Sequence, residues 1–553
     1  VLICQEEPIS AYPRCITQRF MNLARTTPDQ VWMAERNTDR AWSEITYDVA
    51  ARQIEAIGSA LLARGLSADR PLLILSGNSI AHALMALGAQ HAGVPSAAIA
   101  PAYCLSGMDF AKLRAVSKQI TPGMLFADHV DRFAPAIEAV FGEDIPVVTL
   151  SGSMEDRETI AFDTIRETPP SNEMETAHAT VGPETVAKFL FTSGTTGSPK
   201  AVIQTQEMLC ANQQMVQQCY AFLKETPPVV IDWAPWNHTA SGNKVFNMVI
   251  YNGGTYYIDD GRPTPDRIGR SIENLRDVSP TWYFNVPLGF QMLCDAMETD
   301  AALRERFFSR VQMLMYAGAG MSQPVWDRIT RVAAETVPGG VLLCTGFGST
   351  ETGPFALMCT DRQERAGNIG IPAHGVTLKL VPAGDSFEAR IKSPSVTPGY
   401  WRNPELTAQA FDDEGFYRVG DAMRFVVPGE PGAGFVFDGR LAENFKLASG
   451  TWVVVGALRA ELTNALKGLA SDTVIAGDFF TGDLDGANTL LQDAILTFET
   501  STGLNSTDAA GGTALTAFLN TQYAGGTNAG NYVVLRLNRA EVPNENNERF
   551  RIE

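Results

Sequence analysis

The chain has 553 residues, a length that suggests roughly three to four structural units. Hydrophobic residues make up 45%, so a large buried core is expected and disordered, collagenous and coiled-coil classes are excluded. The formal net charge of −19 argues against nucleic acid or anionic lipid as a partner and reads as a solvating surface.

No basic segment followed by an apolar core opens the chain, so no signal peptide is read there. Helical periodicity starts at Tyr47, in YDVAARQIEAIGSALLARG. From Pro71 to Met108 there is no Asp, Glu, Lys or Arg. A membrane span is disfavoured, because Asn78, His82, Gln90, His91 and several Gly and Pro residues interrupt the run. The pattern predicts a strand at Pro71 to Leu75, a buried helix at Ser79 to Ala92 and a second strand at Val94 to Ile99. Such a βαβ unit, covered on both faces of its sheet, explains the missing charges.

Further β-rich runs follow at PVVTL (146), KFLFT (188), PVVIDW (228) and VLLCT (341). They alternate with helical patterns such as PVWDRITRVAAETV from Pro324. The fold class is therefore α/β, with a large N-terminal domain of parallel-rich layered sheets and helices. Short strands and turns around 376–426, as in VTLKLVPAG and FEARIKSP, predict a small β subdomain within it. The Pro- and Gly-dense run VVPGEPGAGF at 426–435 reads as the main linker. The expected domains are 1–437 and a small, mobile C-terminal α/β domain at 438–553. The segment 501–513 reads as a surface loop. Eight scattered cysteines without a CxxC motif read as reduced thiols in a cytoplasmic protein. No histidine or cysteine spacing suggests a metal cluster.

FTSGTTGSPK, Phe191 to Lys200, follows the strand run KFLF. Its glycines and hydroxyls suit a loop whose backbone N–H groups wrap a polyphosphate. Thr192, Ser193, Gly194, Thr195, Thr196 and Gly197 form the candidate wrap, and Lys200 adds a compact positive charge. The GxxxxGK[ST] pattern is absent, because Ala201 follows Lys200.

This segment resembles the phosphate loop of the adenylate-forming superfamily, which includes acyl-CoA synthetases, peptide-synthetase adenylation domains and beetle luciferases. GFGSTETGP (346–354), SVTPGYW (395–401), GFYRVGD (415–421) and DGRLAENFKLASG (438–450) resemble further motifs of that family in the expected order. The resemblance implies ATP, Mg²⁺ and coenzyme A as cofactors. It implies Thr195 and Glu351 on the metal, with Thr350 at the α-phosphate and Gly348 among the nucleotide-binding residues. It places Phe347 over the adenine, Gly318 and Ala319 beside it, and Asp421 with Arg440 at the ribose. Among the less universal segments, AYPRCITQRF, DWAPWNHTASGN, YNGGTYYIDDGRPTP and ENFKLASGTWVVVGALR are similar to feruloyl-CoA synthases. That similarity implies a hydroxycinnamate pocket formed by Trp236, Asn237, His238, Tyr283, Phe284 and Gly318.

The implied reaction forms an acyl-AMP and then an acyl-CoA thioester, with Thr195, Lys200, His238, Glu351 and Lys446 as catalytic candidates. A domain rotation between the halves would pivot at Ala442, where relatives carry Asp or Lys. The family's lysine near the end of the chain has no counterpart, since Lys467 is the last lysine. Arg549 or Arg551 is the expected substitute, unless the tail is incomplete. Another aromatic or fatty acid as substrate, or a catalytically impaired nucleotide-binding homologue, remains the alternative. The expected partners are the small-molecule acid, ATP and CoA, and a homodimer is left open.

Overall fold

The computed structural model describes residues 1–105, 110–193 and 198–441, and the strand backbones at 445–446, 452–453, 470–476 and 532–537. Division by contacts gives two units. The first is Val1–Met321, Arg328–Val419 and Arg424–Val436; the second is Ser322–Asp327, Gly420–Met423 and Phe437–Glu553.

A seven-stranded sheet runs in the order Pro199–Thr205, Val186–Ser193, Ser96–Ala98, Leu72–Ile74, Met124–His129, Val147–Ser151, Thr159–Ala161. Its interior pairings are parallel, and only the Pro199–Thr205 edge is antiparallel. Leu73, Leu125, Val147 and Phe189 are buried with residues of Ala111–Ile120 and Val130–Val140 in one core. The helix Ile80–His91 starts at Ser79, whose hydroxyl accepts from the His82 N–H, and nearly all of its residues are buried. The charge-free run is thus a βαβ unit, with bounds one or two residues tighter than expected. No helix among the described residues is long and apolar enough to cross a membrane.

A four-stranded sheet orders Val229–Asp232, Thr255–Ile258, Val31–Arg36 and Trp42–Thr46. A three-stranded parallel sheet joins Trp282–Asn285, Met313–Tyr316 and Leu342–Cys344. The eight-stranded sheet places Leu2–Ile3 beside Thr377–Ala383, then Ser386–Lys392, Tyr417–Phe425, Phe435–Arg440, Asn368–Pro372, Gly353–Met358 and Gly346–Ser349. The predicted antiparallel subdomain is part of this larger sheet.

The run 426–435, expected as the main linker, lies at the end of the first unit, which closes at Val436. It joins two neighbouring strands, Tyr417–Phe425 and Phe435–Arg440. The Val426 N–H donates to Gly434 O, and Phe425 packs on Phe435. Proline and glycine mark a hairpin connection here as readily as a linker, because both need chain reversal without ladder hydrogen bonds. In the second unit, Ala470–Ala476 pairs antiparallel with Tyr532–Leu537, and Phe445–Lys446 with Trp452–Val453. The expected loop at 501–513 and the terminal arginines lie outside the described residues. All eight cysteines are free, and six are buried.

Candidate active site

The hairpin Val186–Ser193/Pro199–Thr205 delivers Lys200 opposite Thr192. The Lys200 ammonium stands 5.8 Å from the centre of the Tyr400 ring, within reach of a cation–π attraction. The Tyr400 hydroxyl donates to Glu351 Oε1 at 3.2 Å and lies 3.2 Å from the Tyr417 hydroxyl. Burial, with the Glu351 charge beside it, pushes the Tyr400 phenol up to about 12, so it stays a donor. Three separated motifs, at 191–200, 346–354 and 395–401, thereby meet around one carboxylate, with Tyr417 of the fourth behind them.

Glu351 is presented by a tight turn between Gly346–Ser349 and Gly353–Met358. The Ser349 N–H donates to Thr352 Oγ1 at 2.8 Å, and the Glu351 and Thr352 N–H groups each donate to Ser349 Oγ at 3.2 Å. The Thr397 N–H donates to Glu351 O at 2.7 Å, and Thr397 Oγ1 donates to Ile203 O at 2.7 Å. The turn is therefore anchored to the strand that carries Lys200. Glu351 Oε2 has no partner among the described residues, and the side chain is only partly buried. One half-open carboxylate oxygen suits Mg²⁺, which takes one or two protein carboxylates and fills its remaining positions with phosphate and water. Thr350 accepts at its carbonyl from Gln204 Nε2 at 2.9 Å. Phe347 is buried, whereas Gly348 is exposed.

The segment expected to face the acid is Pro235–Val245. His238 lies before a π-helical turn, Ala240–Val245, an uncommon geometry that is frequent at functional sites. Its Nδ1 accepts from the Ala240 N–H at 3.2 Å, and its carbonyl accepts from the Gly242 N–H at 2.8 Å. His238 is exposed, yet surrounding protein lowers its pKa by desolvation, as expected of a cleft wall. Gly242 is required by close approach, because a Cβ there would run into the carbonyl oxygen of Trp236. Gly318 and Ala319 are exposed after the strand Met313–Tyr316, with Gly318 at φ +87°.

Three of the expected pocket residues are buried. Trp236 is enclosed by His82, Phe246 and Tyr256, and its Nε1 donates to the Tyr256 hydroxyl at 2.9 Å. Tyr283 packs edge-on against Phe290 and Phe307, and its hydroxyl accepts from Asn285 Nδ2. Phe284 is buried beside Trp282. Neighbouring large side chains pack around these rings; of the expected pocket residues, Asn237, His238 and Gly318 retain exposure.

In the second unit, Arg440 Nε lies 3.8 Å from Asp421 Oδ1. These two residues, expected at a ribose, stand side by side, with Arg440 largely exposed and Asp421 mostly covered. Gly194, Thr195, Thr196, Gly197 and Ala442 lie outside the described residues, as do the side chains of Ser193 and Lys446. Among the described residues, no group of three His, Cys, Asp or Glu side chains could hold a metal ion. The motif reading overlooked Tyr400, Tyr417 and Thr397 as individual residues, although they stand inside segments it singled out.

The family model described as AMP-binding enzyme matches residues 20–401, more than half of the chain. The chain belongs to the AMP-binding enzyme family. A 3-hydroxybenzoate–CoA ligase from Aromatoleum sp. (strain CIB) is 26% identical over 424 residues, covering 74% of each chain. A feruloyl-CoA synthase from Amycolatopsis sp is 28% identical over 255 residues, 44% of this chain and 47% of the relative. A carboxylic acid reductase from Segniliparus rugosus is 26% identical over 311 residues, which is 50% of this chain and only 24% of the reductase. In fold, this AMP-binding enzyme resembles the anthranilate CoA ligase AuaEII, solved with anthranoyl-AMP: TM-score 0.66, 18% identity, 85% of this chain and 84% of the other.

Proposed function

We propose that this AMP-binding enzyme is an ATP-dependent acid–CoA ligase that acts on ferulate or a related hydroxycinnamate. The observation that carries the reading is the meeting of Lys200, Tyr400 and the Glu351 turn beside a half-open carboxylate. A displacement at phosphorus needs mainly positioning and charge neutralisation, which these groups are built to supply. The acid's carboxylate oxygen attacks the α-phosphorus, the bond to the bridging oxygen breaks, and pyrophosphate leaves. Lys200 and the 192–197 segment hold the departing phosphates. Thr350 and Gly348 lie at the α-phosphate, with Phe347, Gly318 and Ala319 at the adenine. Asp421 and Arg440 hold the ribose.

Mg²⁺, on Glu351 and Thr195, would neutralise phosphate charge. His238 and Asn237 face the acid, with Trp236, Tyr283 and Phe284 as the packed wall behind. A C-terminal domain at 438–553, pivoting at Ala442, would then bring Lys446 and CoA to the acyl-AMP; thiolate attack on the acyl carbon expels AMP.

The test is incubation with Mg·ATP and ferulate, with and without CoA, followed by mass spectrometry. Pyrophosphate, and feruloyl-CoA only when CoA is present, supports the reading; ATP binding without turnover of ferulate, coumarate or caffeate sinks the hydroxycinnamate assignment. A benzoate-type acid is the second reading, favoured by the longer match to the 3-hydroxybenzoate ligase.

A further inference from the structure

Lys188 and Gln204 face each other across the two strands that carry Lys200. Directly opposed residues project to the same face of a sheet. Both are buried, at 9% and 0% exposure. Neither is among the site residues expected above, and both reach the π-helical turn after His238.

Lys188 Nζ donates to Gly242 O at 2.6 Å. Gln204 Oε1 accepts from Asn243 Nδ2 at 2.8 Å, and that same amide also donates to Thr239 Oγ1 at 3.3 Å. The other end of Gln204, Nε2, donates to Thr350 O at 2.9 Å and to Ile203 O at 3.1 Å. One amide thus spans from the turn before Glu351 to the helix after His238. Gln213 Nε2 completes the grip by donating to Asn243 O at 3.1 Å and Lys244 O at 3.3 Å. The carbonyls of three successive residues in the π turn therefore accept from side chains of neighbouring segments. No carboxylate among the described residues pairs with Lys188, so its donor is committed to the helix backbone.

We propose that Lys188 and Gln204 are positioning residues that lock the acid-side π turn to the Lys200 hairpin and to the Thr350–Glu351 turn, holding carboxylate and phosphates in one register. This rests on the adenylating reading above. Glutamine is required because the link needs an acceptor toward Asn243 and a donor toward Thr350. Methionine supplies neither, and glutamate supplies only the acceptor.

The experiment compares wild type with Gln204→Met, Gln204→Glu, Lys188→Met and Asn243→Ala, and with the Gln204→Met/Asn243→Ala double variant. Readouts are acid-dependent pyrophosphate release, ATP affinity without acid, melting temperature, and amide hydrogen exchange at 239–245 and 349–352. A displacement of about 1 Å in a reacting group can cost roughly a hundredfold. Gln204→Met should therefore lower kcat/KM for the acid by about 10- to 100-fold, with ATP affinity within about threefold. Adding Asn243→Ala should cost less than about a further threefold, since the two residues share one link.

Exchange should rise at both segments in Gln204→Met and only at 349–352 in Gln204→Glu, which keeps the acceptor for Asn243. Unchanged exchange at either segment in Gln204→Met overturns the proposal, as does equal loss of ATP affinity and acid turnover in step with melting temperature. If Lys188→Met fails to fold, the Gln204 and Asn243 variants decide. Should the wild type activate no acid, the ligase reading fails by itself and hydrogen exchange still decides the link.

Discussion

The cluster of Lys200, Glu351 and Tyr400 and the buried ionisable groups around the π turn, Lys188, Asp232 and Lys244, handle charge in opposite ways. The first is half open, and its ionic groups face where phosphate and metal are proposed to bind. The second is closed. Asp232 is 1% exposed, accepts from Ser241 at 2.5 Å and Tyr256 at 2.9 Å, and is pushed up to about 6 by burial. Burial draws Lys188 down to about 7 and Lys244 well below its usual range, with Lys244 Nζ against the Met315 sulfur and the Phe355 ring. Buried charge without a counter-charge is costly, so such groups move toward neutrality and serve as hydrogen-bonding joints. Open charge is available to a ligand; closed charge is spent on holding backbone.

That contrast makes separable predictions. The largest effect should come from the open cluster: Lys200→Ala or Glu351→Gln should cut acid-dependent pyrophosphate release by about 10²- to 10³-fold. Their melting temperatures should stay within about 2 °C of wild type, because neither removes a buried partner. A matching collapse of stability would erase the distinction. Asp232→Ala should do the reverse and destabilise by about 2–4 kcal/mol in denaturant titration, by leaving the Ser241 and Tyr256 hydroxyls without their acceptor.

The pH dependence sharpens the same point. Between about pH 4 and 6, folded Asp232 keeps a proton that the unfolded chain releases, so its contribution to stability falls as pH rises through that window. His82 acts oppositely: burial lowers it to about 4, so the unfolded chain binds the extra proton and stability falls as pH drops from 6.5 toward 4. Asp232→Asn should therefore steepen the rise of melting temperature with pH across 4 to 6. His82→Gln should flatten it.

Smaller effects follow at the margins. Tyr400→Phe, which removes one hydrogen bond to Glu351, should raise the Mg·ATP requirement about 3- to 10-fold. Arg440→Ala should move the melting temperature by no more than about 1 °C, since its pair with Asp421 is long and its side chain largely exposed. A larger loss of ATP affinity than of stability would place Arg440 with the open, ligand-directed charges.

Much of this was legible in the chain. The βαβ unit at 71–99 was readable because a doubly covered parallel sheet excludes charge over a continuous run. Lys200, Glu351 and Asp421 were readable because their motifs are local, with spacing set by single turns. The stretch 426–435 was readable as a chain reversal but not as a connection between neighbouring strands, because proline and glycine do not report whether the flanking strands stay in one sheet. The burial of Trp236 and Tyr283 was not readable, because an aromatic beside a site motif has the same sequence appearance whether it lines a cavity or fills a core.

The sequence by itself determined the alternation of elements, the order of the motifs and the family. Only the tertiary structure decided which side chains meet: Tyr400 on Glu351, Lys188 on Gly242, Gln204 between Thr350 and Asn243. Those partners lie 49, 54, 146 and 39 residues apart. No local periodicity encodes such pairs, because packing of the sheets and helices, rather than spacing along the chain, brings donor to acceptor.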